Sequence, residues 1–403
     1  MAYSDIDSIQ SPPPLLYYAG LVSYLLFFLN VEISWNYPYI IFKYLSFLFL
    51  SLHLLQILNL FSLKAQLLFS PFFLLVVIVG IISEQLALLF LSLELIVGAK
   101  GIDFKNILIV HFVVSITICL ISVVGSSLGI IENVAVGLSD DVDFFSESAI
   151  RYSYGYGWPT GCAIHISFLC LSYWVLKDSQ IGIKGLLAFI FAFFFVLLYP
   201  QARQASFIIL LILLLSFYLR YKINNQKSPP KVILYFLFIS PVIFAVISLY
   251  CTIAYDEMDY TWMITNILFS GRLSLGQDAI EEYGIPLFGQ YIEMVGGDVK
   301  SDDYNYVDSS FVQAPLIWGV LLFILLMLIY EYIAYKAYKR KNYTLLFAIA
   351  IAALSSVTSQ YFFQIKFCPL LLAFLANHTI EEQYTIEEQD NYVEEGIIKE
   401  ADS

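Results

Sequence analysis

The sequence predicts an all-α polytopic integral membrane protein of about twelve transmembrane helices, with short helices in one long outer loop. Of its 403 residues, 60% are hydrophobic and only 13% are charged, whereas soluble domains are closer to half apolar and a quarter charged. Apolar runs near the ~20 residues needed to cross a bilayer recur along the chain. Between two of these runs, the polar stretch 255–310 carries eleven Asp or Glu residues but only two cations.

Each apolar run is a candidate span. The runs cover residues 14–30, 39–58, 65–82, 85–99, 106–126, 160–177, 181–199, 204–220, 231–253, 312–335, 343–358 and 360–377. Only Ser83 to Gln85 separate the third run from the fourth, and the fourth run is short. A re-entrant hairpin at this point is the alternative, so about ten to twelve spans are expected.

The placement of lysine and arginine orients these spans. Fourteen of the twenty cations fall in alternate loops or in the tail, four fall in the opposite loops, and Lys43 and Lys366 lie inside spans. Because cytoplasmic loops carry the excess of cations, both termini are expected in the cytoplasm. The expected organisation is N-terminal membrane helices in 1–126, an outer aromatic and acidic loop in 127–159, central membrane helices in 160–254, a large outer catalytic loop in 255–311, C-terminal membrane helices in 312–377 and an acidic, disordered cytoplasmic tail in 378–403.

The net charge of −13 is concentrated in the long outer loop and in the tail, where Glu381–Ser403 holds nine acids and one lysine. Like-charged segments of this kind remain solvated and disordered. The tail therefore either keeps the chain end soluble or binds a cytoplasmic regulator. The acidic balance argues against nucleic acid as a partner.

The sequence gives no sign of a cofactor or a metal. It contains no phosphate-binding loop and no dinucleotide fingerprint, and the acidic loop lacks the ligand spacing of a calcium loop. The five cysteines lie in or beside apolar runs, and none forms a CxxC pair. They are expected to be small buried apolar residues.

Three of the four cations expected on the outer side are arginines, namely Arg151, Arg203 and Arg272. The positive-inside bias disfavours cations at this location. Any one of them is equally consistent with a guanidinium that reaches the lipid headgroups. For all three together, convergence on one anion is the better hypothesis, since a guanidinium pairs bidentately with phosphate and stays charged.

Residues 271–283 are predicted to form a short helix with Arg272 in its first turn. Ser270 is an acceptable N-cap, and Gly284 followed by Pro286 marks the end. Because a helix N-terminus offers free backbone N–H groups and a partial positive charge, an arginine there predicts an anion site. A solvated interfacial helix is the alternative, and the two interpretations are compatible.

Candidates for a general base are Asp303, Asp308 and His165. The two aspartates belong to an acidic cluster with Asp298 and Asp302, most of which is equally explained as a solvated face. His165 lies near the outer end of its span, where a lone histidine is more often a packed, hydrogen-bonded residue.

Three further residues are candidates for substrate binding. Tyr154 and Trp158 belong to an aromatic, glycine-rich loop, RYSYGYGWPTG, which suits contact with sugars or lipid headgroups. Aromatic residues are also common at membrane interfaces for reasons of packing alone. Lys366 lies in the outer half of the last predicted span, where it would join the anion site.

Four segments of the chain are similar to segments of a known family. They are residues 270–290, which begin SGR and end YGIPLFGQ, residues 304–321 (YNYVDSSFVQAPLIWGVL), residues 151–159 (RYSYGYGWP) and residues 199–211 (YPQARQASFIILL). Their order and the long outer loop resemble the bacterial oligosaccharide repeat-unit polymerases of the Wzy type, which make capsule, exopolysaccharide and O-antigen. The resemblance covers roughly residues 150–377. The chain departs from the family pattern at Trp158-Pro159-Thr160, where related sequences often have a His-Pro-Asn type motif, and at Ala202, where they often have serine.

The resemblance implies a glycosyltransferase-type polymerase that joins undecaprenyl-diphosphate-linked repeat units on the outer face of the cytoplasmic membrane. Arginines would stabilise the diphosphate leaving group, and a flippase and a chain-length regulator would be partners. The alternative is a lipid-linked oligosaccharide flippase or another multi-span transporter, which should show repeat symmetry and a central charged cavity. A non-catalytic scaffold would leave the three outer arginines without an explanation.

Overall fold

A computed structural model describes residues 13–35, 38–137, 150–178, 180–225, 227–296 and 305–378. The described part of the chain is helical apart from one small antiparallel pair of strands. The helices are α1 (Leu15–Val31), α2 (Ile40–Ile57), α3 (Leu63–Ile82), α4 (Leu86–Gly98), α5 (Phe104–Ser127), α6 (Pro159–Leu176), α7 (Ile183–Leu198), α8 (Arg203–Asn224), α9 (Lys231–Ile253), α10 (Tyr260–Leu268), α11 (Arg272–Tyr283), α12 (Ser310–Lys339) and α13 (Tyr343–Ser356). The strands are β1 (Ala135–Gly137) and β2 (Ile150–Tyr152).

The apolar helices agree with a membrane-embedded protein. Seven helices of the described residues are long and apolar enough to cross a bilayer, namely α2 with the turn that follows it, α3, α5, α6, α8, α9 and α12. Four shorter apolar helices, α1, α4, α7 and α13, complete the set. Eleven of the predicted spans therefore correspond to helices, and the expected total of twelve is not established.

The prediction that the twelfth span, residues 360–377, forms a helix is wrong. Beyond α13 the chain runs through turns and one short 3₁₀ helix, Pro369–Ala373, where a helix over 360–377 was expected. Backbone of this kind is tolerated at membrane depth only where protein surrounds it. Residues 361–363, 365 and 367–368 are buried, and the Tyr330 hydroxyl and the Lys336 ammonium donate to the carbonyls of Phe362 and Phe374.

Helix α12 is also interrupted. Gly319 has φ 80° and ψ 162°, so Ser310–Trp318 forms a half-helix in front of the longer segment that follows. A left-handed φ favours glycine. A Cβ at this position would lie 2.4 Å from the Gly289 nitrogen and 2.6 Å from the Leu287 oxygen, so a larger residue would displace the backbone of the segment 287–289.

The loop segment after α11, residues 284–290, fills the gap that this interruption leaves. The Val320 N–H donates to the Pro286 carbonyl at 3.0 Å, and the Gln290 N–H donates to the Ile317 carbonyl at 2.9 Å. The Gln290 side-chain amide adds a bond to the Leu316 carbonyl at 3.0 Å. The loop thus supplies the partners that an unbroken helix would have supplied itself, and it is fixed against α12.

Several polar side chains inside the bundle are hydrogen-bonded to neighbouring helices or segments, as most buried polar groups are. Ser51 of α2 donates to the Glu94 carboxylate of α4 at 2.8 Å, and His53 bonds the Gly98 carbonyl at 3.0 Å. His111 of α5 bonds the Ile365 carbonyl at 2.9 Å, which holds the irregular last segment against α5. The five cysteines are free thiols, and four of them are buried.

Candidate functional site

Helix α11 confirms the predicted helix around Arg272. It begins at Arg272 and ends at Tyr283, and Gly284 in its C-cap position has φ 66°. The N-cap is Gly271, in the left-handed region at φ 79°, and not Ser270. Ser270 also has a positive φ, of 56°. The reversal of the chain therefore occupies both residues before the helix, which places Arg272 at its first position.

The start of α11 is not a free anion site, in contrast to the prediction. The side-chain oxygen of Asn266, in α10, accepts the N–H groups of Leu273 at 3.0 Å and of Ser274 at 3.3 Å. The Arg272 N–H donates to the Phe269 carbonyl at 3.3 Å. Since these donors are already bonded, the capacity of this element to bind an anion lies in the Arg272 guanidinium itself.

Arg272 forms an ion pair with Asp308, one of the predicted bases. The Arg272 Nε lies 3.0 Å from Asp308 Oδ2, and the two side chains are 22% and 28% exposed. The Arg272 Nη1 also donates to the Phe269 carbonyl at 3.3 Å. Burial raises the pKa of the Asp308 carboxyl above its ordinary 3.8, while the charge of Arg272 and its hydrogen bond act in the opposite direction.

A polar network holds Asp308 in place at the start of α12. The Gln313 side-chain amide donates to the Val307 carbonyl at 3.0 Å and to the Gln360 Oε1 at 2.9 Å. The Gln360 amide donates in turn to the Tyr306 hydroxyl. Residues on both sides of Asp308 are therefore tied to α12 and to the irregular segment that follows α13.

Lys366 forms a second ion pair, with Glu32 at the end of α1. The Lys366 side chain is 8% exposed, and its ammonium lies 5.3 Å from the centre of the Phe367 ring. The lysine therefore has a partner within the protein, which the sequence did not identify. Its predicted role in substrate binding stays a prediction.

Tyr361 connects the two ion pairs. The Glu32 and Asp308 carboxylates both act electrostatically on its hydroxyl. The side chain is 8% exposed, and its ring packs edge-on against Phe367 with the centroids 4.5 Å apart. Tyr361 and the two ion pairs are together called the polar region, to which the loop after α11, the end of α1 and the segment after α13 each contribute residues.

The aromatic loop is attached to the end of α1 beside Glu32. The Gly157 N–H donates to the Glu32 carbonyl at 2.9 Å, and the Ser34 N–H donates to the Gly155 carbonyl at 2.9 Å. Arg151 lies in β2, where it pairs with Val136 of β1. The aromatic loop therefore has a defined structure and lies beside the polar region.

His165 is a packed residue and not an exposed base. The side chain is 1% exposed, its Nδ1 lies 2.6 Å from the Tyr156 hydroxyl, and its ring meets Phe367 edge-on at 5.2 Å. The geometry favours the interpretation that His165 is a packed residue, hydrogen-bonded to Tyr156 of the aromatic loop.

The remaining candidates lie on neighbouring loops. Tyr154 has φ 51° and packs against Phe195 and Tyr199 at 5.2 and 6.2 Å between ring centres. Tyr199 ends α7 just before the loop that leads to Arg203, the exposed first residue of α8. Trp158 is the half-buried N-cap residue of α6. Convergence of Arg151 and Arg203 on the anion of Arg272 stays a prediction.

Two predictions fall outside the described residues. Asp303, with Asp298 and Asp302, lies in 297–304, and the acidic tail lies in 379–403. Among the predicted bases, Asp308 is therefore the one with a defined position beside an arginine.

No protein-family model, no curated protein and no solved structure matches the chain.

Three residues of the site escaped the sequence argument: Glu32, Asn266 and Tyr361. A signal for Glu32 was present, because a lysine inside a span requires an internal partner and Glu32 is an acid at the end of a predicted outward span. Asn266 and Tyr361 carry no such signal. Their contacts depend on how α10 meets α11 and on the irregular path after α13.

Proposed function

We propose that the chain is a polymerase that joins undecaprenyl-diphosphate-linked oligosaccharide repeat units into a surface polysaccharide. The reaction takes place on the outer face of the bacterial cytoplasmic membrane, and both termini lie in the cytoplasm. The observation that carries the proposal is the ion pair between Arg272 and Asp308. It places a permanent cation, suited to a diphosphate, next to a carboxylate that can accept a proton.

The chemistry requires both members of this pair. A hydroxyl oxygen of one repeat unit forms a bond to the anomeric carbon of another, and the bond from that carbon to the lipid diphosphate breaks. The electron pair leaves on the diphosphate, where Arg272 stabilises the developing charge. The proton of the hydroxyl passes to the Asp308 carboxylate.

Substrate binding and activation of the base are linked through the ion pair. A diphosphate that engages the Arg272 guanidinium competes with Asp308 for the same N–H groups. Released from the guanidinium, the half-buried carboxylate loses the interaction that lowers its pKa and becomes a stronger base. Arg151 and Arg203 would bind further diphosphate oxygens, while Tyr154 and Trp158 would contact sugars.

The test is the lipid-linked glycan and polymer of cells that carry Arg272 variants. Arg272→Ala should lower the yield of long polymer by about 100-fold, the effect of removing one preorganised charge donor. Arg272→Lys should rescue poorly because an ammonium lacks the bidentate fork. Arg220→Ala is the matched control, since Arg220 lies near the end of α8 that is farther from Arg203 and donates to the Ile181 carbonyl at 3.4 Å. Normal polymer in Arg272→Ala, at equal membrane level, would remove Arg272 from the site.

A flippase is the second candidate, and the interrupted helix α12 favours it. Gly319 breaks α12, and the segment after α13 is irregular. Discontinuous helices at membrane depth line the substrate sites of many transporters. The two functions differ in the intermediate that a strain without the protein accumulates. Single repeats on the outer leaflet support the polymerase, whereas lipid-linked repeats retained on the inner leaflet support the flippase.

A further inference from the structure

Helix α10 turns its apolar side away from the protein. None of its nine residues is buried. At about 100° per residue, one arc of about 140° contains only large apolar side chains. These side chains are all exposed, from 40% to 77%, and they are Tyr260, Met263, Ile264, Ile267 and Leu268. A helix packed on a water-soluble protein has the opposite arrangement, with its apolar stripe facing the core.

The other side of α10 is attached to the protein through polar and aromatic contacts. Asn266 bonds the first turn of α11 through its oxygen, and its amide nitrogen donates to the Ser274 hydroxyl at 3.1 Å. The Trp262 ring lies 6.4 Å from the ring of Tyr250, in the last turn of α9. The helix is therefore held in a defined orientation, and its exposed apolar arc is not a consequence of loose attachment.

The apolar arc continues the lipid-facing surface of α9. Val246, Tyr250 and Ile253 follow one stripe of α9 at i, i+4 and i+7 and are 58–64% exposed. Helix α9 is one of the seven helices long and apolar enough to span. Because Trp262 contacts Tyr250, which belongs to this stripe, α10 begins where the lipid-exposed stripe ends.

We propose that α10 is an interfacial helix that inserts its apolar arc into the bilayer at the boundary of headgroups and acyl chains. The occupant of this surface is the lipid of the leaflet on the side where the 255–310 loop emerges. Amphipathic helices with a single apolar face bind membranes in this way. Through the bond from Asn266 to the start of α11, the depth of α10 in the leaflet sets the depth of Arg272. The proposal holds whether or not the protein is a polymerase.

The first experiment measures where the arc lies, by spin labelling of the full chain in phosphatidylcholine–phosphatidylglycerol vesicles. Cys251→Ser removes the one cysteine that is not buried, which leaves four buried thiols that react poorly. Labels then replace Ile264 and Ile267. Phe217, 56% exposed on spanning helix α8, is the lipid control, and the exposed Glu281 of α11 is the aqueous control.

The labels at Ile264 and Ile267 should collide with oxygen and exclude a water-soluble nickel chelate, as the label at Phe217 does. Nickel accessibility equal to that of Glu281 would overturn the proposal, because the helix would then lie in water. Exclusion of both reagents, with dipolar broadening between labels, would also overturn it, since a second copy of the chain would then cover the arc.

The second experiment tests the link to α11. A label at the exposed Asp278 reports the position of α11. Ile264→Glu with Ile267→Glu should lift α10 from the leaflet and raise the nickel accessibility at Asp278 at least twofold. Ile264→Leu with Ile267→Leu is the matched control and should leave the nickel accessibility at Asp278 unchanged. Unchanged nickel accessibility at Asp278 in the glutamate variant would show that α10 does not set the depth of Arg272.

Discussion

The two ion pairs of the polar region contain the same kinds of group in different surroundings. The side chains of Arg272 and Asp308 are 22% and 28% exposed, so both are partly accessible to solvent, although the Arg272 Nε atom itself is buried. The Lys366 side chain is only 8% exposed, while its partner Glu32, at the end of α1, is 28% exposed like Asp308. A solvated pair can exchange its carboxylate for another anion at little cost. A buried pair cannot, because the remaining charge would be left without a partner.

The backbone around each cation differs as well. Arg272 begins a regular helix whose first turn is capped by Asn266. Lys366 lies in a segment without regular structure, which neighbouring helices hold through bonds such as that from His111 to the Ile365 carbonyl. The comparison separates two cations that the sequence placed in one anion site. Arg272 is suited to exchange partners with a ligand, and Lys366 is suited to hold the irregular segment to α1.

The largest effect is expected from breaking the buried pair. Glu32→Ala leaves Lys366 buried without a carboxylate and should destabilise the protein by about 3–5 kcal/mol. Adding Lys366→Met should restore most of this loss, since it removes the uncompensated charge and keeps the volume. Asp308→Ala, in the solvated pair, should cost about 1 kcal/mol or less. Unfolding in detergent micelles measures all three. A double variant no more stable than Glu32→Ala would contradict the assignment of Lys366 as a buried, paired charge.

The same contrast explains what the sequence could predict. Apolar runs gave eleven helices to within a few residues, and for α9 the bounds 231–253 are the observed ones, because membrane-spanning length and composition are local properties. The run 360–377 is also mostly apolar, yet it contains Gln360, Gln364, Lys366 and Pro369. Gln360 bonds Gln313 of α12 and Lys366 pairs with Glu32 at the end of α1, so tertiary contacts override the local preference for a helix.

The sequence could predict which types of residue form the candidate site, but it could not predict which of them contact each other. Charge patterning singled out Arg272 and the acidic segment around Asp308 as candidates. Their contact spans 36 positions of the chain and depends on how the segment after α11 fills the interruption at Gly319. Asn266 became the cap of α11 only because α10 packs beside it. No periodicity in the sequence encodes such contacts.

The second prediction concerns the protonation of Asp308 in the pair that is partly accessible to solvent. Burial favours the neutral form of Asp308, so the folded protein holds this proton to a higher pH than the unfolded chain does. The contribution of this carboxyl to folding stability is therefore full below pH 3.8, its ordinary pKa, and is lost as the pH rises through the folded-state pKa. Arg272→Gln removes the charge and the hydrogen bond that lower this pKa, so it should raise the pKa of Asp308 further.

Infrared spectroscopy measures this shift without relying on activity. The carbonyl stretch of a protonated carboxyl is assigned to Asp308 by its disappearance in Asp308→Asn. In the Arg272→Gln protein the band should persist to a higher pH than in the unaltered protein, whereas Arg220→Gln should leave its midpoint in place. A midpoint that stays fixed in Arg272→Gln would mean that the guanidinium does not control the charge of Asp308.

The smallest effect is expected from removing the Asn266 side chain, which caps the first turn of α11 beside Arg272. Asn266→Ala removes the acceptor for the N–H groups of Leu273 and Ser274 and should destabilise the start of α11 by about 1 kcal/mol, as loss of a capping side chain does. Hydrogen exchange at these two amides should quicken about fivefold, while exchange within α12 stays constant. Thr265→Ala is the matched control on the same helix, because the Thr265 hydroxyl bonds only the Thr261 carbonyl of its own helix, at 2.8 Å. If both variants quicken exchange equally, α10 supports α11 through general packing, and the position of Arg272 does not depend on this cap.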